Sequence, residues 1–210
     1  MTQTSDSPAR PVRDAADAFV DQYADLDPLT ATSLGLPKRQ DELPDLSPAG
    51  QHALDDLYRA TLATLASLEE AAGPAGFADA DERRCARLLR ERLQTRLTVS
   101  AAGEHLRAMS NIFGPPQEVR GNFLLMPATS ADDWAVIARR LARMPQVLAQ
   151  HRESLAEGAR LGLYAAPRQV ETVAGQFADW QATGGGRGWF TDFTAGAPAA
   201  APDSLRSDLA

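Results

Sequence analysis

Cysteine, histidine and aromatic residues are all scarce in this chain of 210 residues. Cys85 is the only cysteine, so no disulfide can close within the chain, and a reducing, cytoplasmic setting is the expectation. The opening stretch Met1 to Arg10 is polar and lacks the apolar core of a secretory signal. No apolar run approaches the roughly 18 residues that a spanning helix needs. Positive charge is also short: 21 Lys and Arg stand against 28 Asp and Glu, a formal net charge of −7. That balance argues against nucleic acid, whose binding relies on Lys and Arg at phosphates. It argues equally against an anionic membrane surface.

The three histidines, His52, His105 and His151, lie far apart. None opens an H-E-x-x-H motif, in which two imidazoles one helical turn apart share a zinc ion. His151 runs on into Arg152, Glu153 and Ser154, so the second imidazole is missing and a half-buried helix histidine is the expectation. Neither a G-x-S-x-G elbow, a P-loop nor a G-x-G-x-x-G string occurs. The run Gly184 to Gly188 follows no strand pattern and reads as a linker. Cys85 falls on an apolar stripe and reads as a structural thiol, not a nucleophile. Asp132/Asp133 and Glu69/Glu70 read as helix-start or surface charges, not an acid/base pair. On these grounds no catalytic and no metal-binding residue is assigned, and no cofactor is expected in this chain.

What is abundant points to helix. Ala, Leu, Arg and Glu lose little conformational freedom on entering one. Ala16, Phe19, Val20 and Tyr23 recur at helical spacing from Val12 onward, with Asp14, Asp17, Asp21 and Asp25 around them. Asp27-Pro28 ends that segment, and Leu29 to Leu34 form a short turn stopped at Gly35. Ser47-Pro48 opens a helix with Leu54, Leu57, Tyr58, Leu62, Leu65 and Leu68 on one face, closing at Gly73-Pro74. Asp79 with Glu82 resembles a capping box for the next helix. There Cys85, Leu88, Leu89, Leu93 and Leu97 make the apolar face, and a run of arginines makes a solvated one.

Gly103 ends that helix. A Pro/Gly-rich loop follows at 110–116, then a short helix over 117–126 with Val119, Phe123, Leu124 and Met126. Ser130 with Asp133 is a second cap signal, followed by Trp134, Ile137, Ala138 and Leu141. Pro145 starts a new path with Leu148, His151, Leu155 and Ala159 as far as Gly162. Ala166-Pro167 begins another helix that buries Val170, Val173, Ala174 and Phe177. Trp189, Phe190 and Phe193 form an aromatic knot beyond the glycines. With no convincing alternating pattern, the fold class is all-α. The organisation is a lead-in over 1–11, a helical domain over 12–197, and a linker with the start of a helix over 198–210, read as a truncation point in a longer protein.

The loop at 110–117 is where polar Ser110, Asn111 and Gln117 meet backbone forced out of regular structure, and such loops carry function disproportionately. The bland alternative is a plain connector. Trp134, Trp180 and Trp189 sit at core spacings, with a small-molecule site as the sharper alternative.

The order of several short motifs resembles a known family. These are Asp27-Pro28-Leu29-Thr30-Ala31-Thr32-Ser33-Leu34-Gly35, Leu43-Pro44-Asp45-Leu46-Ser47-Pro48-Ala49-Gly50, Asn111-Ile112-Phe113-Gly114, Leu125-Met126-Pro127, Trp134 to Pro145 and Arg168-Gln169-Val170. Together they resemble the N-terminal part of a bacterial family called domain of unknown function 885. The resemblance implies an irregular multi-helix array like the N-terminal half of helical zinc metallopeptidases. It implies zinc in longer members, with the metal motif in a C-terminal half, so none of those positions carries over to this chain. The partner it implies is a peptide or amide-like small substrate of the full-length protein. This piece would then line or cover a substrate channel, with contacts from residues 110–126, its substrate-binding residues unassigned and a homodimer left open. The competing expectations are a free-standing helical interaction module and a small-molecule binding bundle, neither of them an enzyme.

Overall fold

The computed structural model of this chain describes residues 9–181 and 188–197. Most of the expected lead-in, the Gly184 to Gly186 break and the stretch 198–210 lie outside the described residues. Among the described residues there is no strand, and the all-α expectation holds. They fall into two compact units.

The first unit takes the chain up to Tyr23 together with His52–Ala102. It holds most of α1 (Pro11–Leu26) and α3 (Pro48–Ala72), and all of α4 (Ala80–Ala101). Its core is Val12, Tyr58, Leu65, Ala86, Leu89 and Leu93. Each buried Val or Leu among them contributes about 1.5–3 kcal/mol. Phe19, Tyr23 and Tyr58 add a ring cluster, with centroids 5.8, 6.1 and 6.3 Å apart. Burial among these rings, with Tyr23 beside it, pushes the Tyr58 hydroxyl pKa up.

Polar ties fix the helix pairing in this unit. Ser100 Oγ donates to the buried Asp55 carboxylate at 2.6 Å, joining α4 to α3. Glu82 corrects the expected capping box. Asp79 does cap α4, accepting from Asp81 N at 2.7 Å. Glu82 does not turn back on the cap: it is 2% exposed and reaches α1. There it accepts from the Val12 amide at 2.6 Å and from Arg13 Nε at 2.6 Å. A helix N-terminus leaves amide donors without partners, and a buried carboxylate from another helix satisfies one of them here. Leu88 is a second correction, being 55% exposed. Cys85 is half-buried, packed at the edge of the core, where burial and the neighbouring Glu82 push its pKa up. That is the opposite of an activated thiolate.

The second unit takes Ala24–Gln51 and the described residues from Gly103 on. It contains α2 (Pro28–Ser33), α5 (Pro115–Asn122), α6 (Ala131–Leu141), α7 (Met144–Arg160), α8 (Pro167–Trp180) and α9 (Trp189–Thr194), with 3-10 turns at Glu104–Arg107 and Phe123–Leu125. Its core is Val119, Phe123, Met126, Trp134, Ile137, Ala138 and Val147. The expected Ser130/Asp133 signal is a complete capping box: Ser130 Oγ accepts from Asp133 N, and the Asp133 carboxylate accepts from Ser130 N. These backbone and hydroxyl donors hold the Asp133 pKa down.

Two expectations shift in this unit. Pro115 and Pro116 do not belong to the loop. They form the first turn of α5, where a missing N–H costs nothing. Leu124, Val170 and Ala174 are exposed although their spacing places them on apolar faces. Gly158 explains how α7 approaches the turn Glu104–Arg107 so closely. A Cβ there would run into the Leu106 carbonyl, so a helix-interior glycine buys backbone contact at a propensity cost of about 1 kcal/mol.

Candidate functional site

Helix α5 is the element on which the polar features of the second unit converge. At its N-terminal end, Ser110 Oγ accepts from the amides of Ile112 and Phe113, each at 3.2 Å. Gly114 follows because a Cβ would lie 2.7 Å from the Ser110 carbonyl oxygen and 2.6 Å from Gln117 Oε1. Gln117 donates to Gln176 Oε1 of α8 at 2.9 Å, and Gln176 donates to the Asn111 carbonyl at 2.9 Å. The loop at 110–114 is therefore tied both to itself and to α8. It nevertheless holds Ile112 64% and Phe113 80% exposed. Of the three polar residues that the sequence singles out here, Ser110 and Asn111 shape the loop, while Gln117 is buried in α5.

One turn further along α5, the Arg120 guanidinium lies over two indole rings. It is 4.7 Å from the Trp180 centroid and 5.0 Å from that of Trp189. Such cation–π contacts contribute about 0.5–2 kcal/mol each, more as the cation loses water. Beside this clamp is an apolar cleft of about 40 Å³ whose walls include Pro116, Met144, Leu148, Phe177, Trp180 and Phe190. The three tryptophans thus divide. Trp134 is buried in the core with its Nε1 donating to the Ala128 carbonyl at 3.1 Å, whereas Trp180 and Trp189 clasp an arginine.

At the C-terminal end of α5, Asn122 meets Arg140 of α6. Arg140 is 0% exposed. It donates to Asn122 Oδ1 at 2.7 Å, to Thr32 Oγ1 at 3.0 Å and to the Arg39 carbonyl at 3.4 Å. Asn122 in turn donates to the Leu29 carbonyl at 2.9 Å, and Thr32 shares a hydrogen bond with Gln40 at 3.0 Å. No carboxylate lies within ion-pair distance of Arg140 among the described residues. Burial pushes its pKa down to about 10, opposed by the attraction of Asp41 and Asp27. This charge welds α2 and the segment after it to α5 and α6, and being sealed from solvent it offers nothing to a ligand.

Sequence reasoning passes over both arginines. Arg140 lies three residues after Ile137, on the same apolar face, and a charge on such a face is a readable warning. Arg120 carries no local signal, because its two indoles are far along the chain.

His151 is more buried than expected, at 6% exposure. Its Nε2 has no hydrogen-bond partner among the described residues, and burial pushes its pKa down. The unfolded chain therefore takes up a proton near pH 6.5, before the native state does. Stability should be full above that pH and fall as the pH drops below it. In urea melts at pH 7.5 and pH 5.5, His151→Phe is expected to lose less stability on acidification than the unaltered protein. Equal losses would place the acid sensitivity elsewhere.

Among the described residues, no group of three or more His, Cys, Asp or Glu can hold a metal ion. Nor is any helix among them long and apolar enough to cross a membrane. Residues 28–210 match the sequence model of a family described as bacterial protein of unknown function (DUF885). No curated protein matches the chain.

Proposed function

The chain belongs to the DUF885 family of bacterial proteins of unknown function, and from that premise we propose that it is the helical wall of a substrate channel in a zinc-dependent, peptidase-like hydrolase. The observation that carries this reading is the loop at 110–114. A flexible loop would fold Ile112 and Phe113 back onto the protein; this one is braced by Ser110, Gln117 and Gln176 so that both stay exposed. Rigid apolar side chains of this kind suit the flank of an extended peptide or amide, where hydrophobic contact supplies binding and a fixed backbone limits the entropy lost. Leu124 and Leu125 present a second apolar pair at the other end of α5. In this reading the chain supplies shape and substrate contact, while metal ligands and the general base come from a longer polypeptide.

The test compares zinc content and peptidase turnover of this chain with those of a longer product of the same reading frame. The chain alone is expected to carry no stoichiometric zinc and to turn nothing over, the longer product to do both. Phe113→Ala in the longer product should raise KM with little change in kcat, the pattern of lost substrate binding. Turnover or tightly held zinc in this chain by itself would end the reading, as would an inert longer product.

A further inference from the structure

We propose that Arg120 and the adjoining apolar cleft form a small binding site for a carboxylate that carries a short branched aliphatic group. The inference stands apart from the hydrolase reading, since it needs neither a metal nor a channel.

Arg120 is the first observation. A guanidinium has five N–H donors in a planar fork suited to a carboxylate. Among the described residues, no ion pair and no hydrogen bond uses those donors; the cation lies over the Trp180 and Trp189 rings. Its Nε is closed off from solvent without a partner. With both indoles against the cation, its N–H donors are left for an acceptor from outside the described residues.

The cleft is the second. Trp180 is at once one face of the clamp and one wall of the cleft. Phe190, another wall, packs edge-on at 4.9 Å against Trp189, the clamp's other face. The cationic and apolar ends of the site are thus one aromatic ring apart. A cavity of about 150 Å³ holds benzene, so the 40 Å³ here suits a small group such as a methyl or isopropyl. Among the described residues of the clamp and the cleft walls, Arg120 is the only cation, which favours a singly charged anion over phosphate. The chain as a whole is acidic, at −7, so diffuse attraction would not bring an anion here.

The shared chemistry has two sources, a free short-chain acid and the terminal residue of a peptide. The competing explanation is a clamp that only holds α5 to α8 and α9. The experiment is a titration of the full chain at low salt, read by tryptophan fluorescence and by calorimetry. Its probes are isovalerate, isovaleramide and N-acetyl-alanyl-valine. A ligand this small is expected to bind in roughly the millimolar range. Isovalerate should bind about tenfold more tightly than its uncharged amide, and Arg120→Met should abolish the difference. Leu148→Phe, which fills the cleft and leaves the arginine in place, should weaken both. Tighter binding of the peptide than of the acid identifies a chain end as the ligand; the reverse identifies the free acid. Should Arg120→Met fail to fold, the acid-against-amide comparison on the unaltered protein decides alone. Equal binding of acid and amide, or no binding of any probe up to about 50 mM, overturns the site.

Discussion

Arg140→Ala is expected to lower the unfolding free energy by about 3 kcal/mol, from the cavity and the polar groups it strands. The side chain is fully buried, and its removal leaves Asn122 Oδ1 and Thr32 Oγ1 without their donor. Against this stands a gain, because a buried cation without an ion-pair partner is costly and its loss relieves that cost. Arg140→Met separates the two effects. It keeps most of the volume and removes the charge, so its loss should stay below about 1 kcal/mol. Pairing it with Asn122→Leu removes both ends of that hydrogen bond but takes the donor from the Leu29 carbonyl, so the double variant should lie no higher in stability than Arg140→Met. Urea unfolding of the three variants gives the comparison. If Arg140→Ala proves as stable as the unaltered protein, the network around α5 is ornament.

In the first unit the corresponding change is Glu82→Ala. It strips the acceptor from the buried Val12 amide and from Arg13 Nε. A stranded buried donor and a lost charge-assisted hydrogen bond together make about 3 kcal/mol the expected loss. Glu82→Gln keeps an acceptor for Val12 and gives up the charge, so about half that loss is expected. Amide exchange at Val12 provides an independent readout: it should quicken markedly in Glu82→Ala and only slightly in Glu82→Gln. A capping-box role at α4 would predict the reverse locality, with exchange rising at Asp79, the amide such a box protects. Arg13 keeps its second partner, Asp79, at 2.9 Å in either variant, which confines the effect to the start of α1.

Both predictions concern carboxylate or guanidinium groups whose partners lie far along the chain, and this marks the limit of what could be read in advance. The candidate site is a fair example. Asn111, Ser110 and Gln117 stood out in the sequence because prolines and glycine force the backbone there. Their actual work, bracing a loop through Gln176, depends on α8 returning to α5 after 59 residues. Arg120 gave no sign at all, since an arginine in a short helix looks the same with or without two indoles against it. The exposed Leu88 and Val170 show the same limit from the apolar side: periodicity marks a face, but not how far the neighbouring helix covers it.

What the sequence determined by itself is where helices begin and end. Pro28, Pro48, Pro145 and Pro167 all fall in first helical turns, Ser130 caps its helix with Asp133, and Gly35 and Gly162 take the left-handed φ of 70° and 75° beyond helix ends. These outcomes follow from sterics and hydrogen bonds within a few residues, which a linear string records. Only the tertiary structure decided that Glu82 would cap α1 across 70 residues, that Arg140 would be sealed against Thr32 across 108, and that Arg120 would lie over two tryptophans. A buried polar group takes whichever partner the packing of the helices brings within reach, and that packing is settled by the whole chain at once.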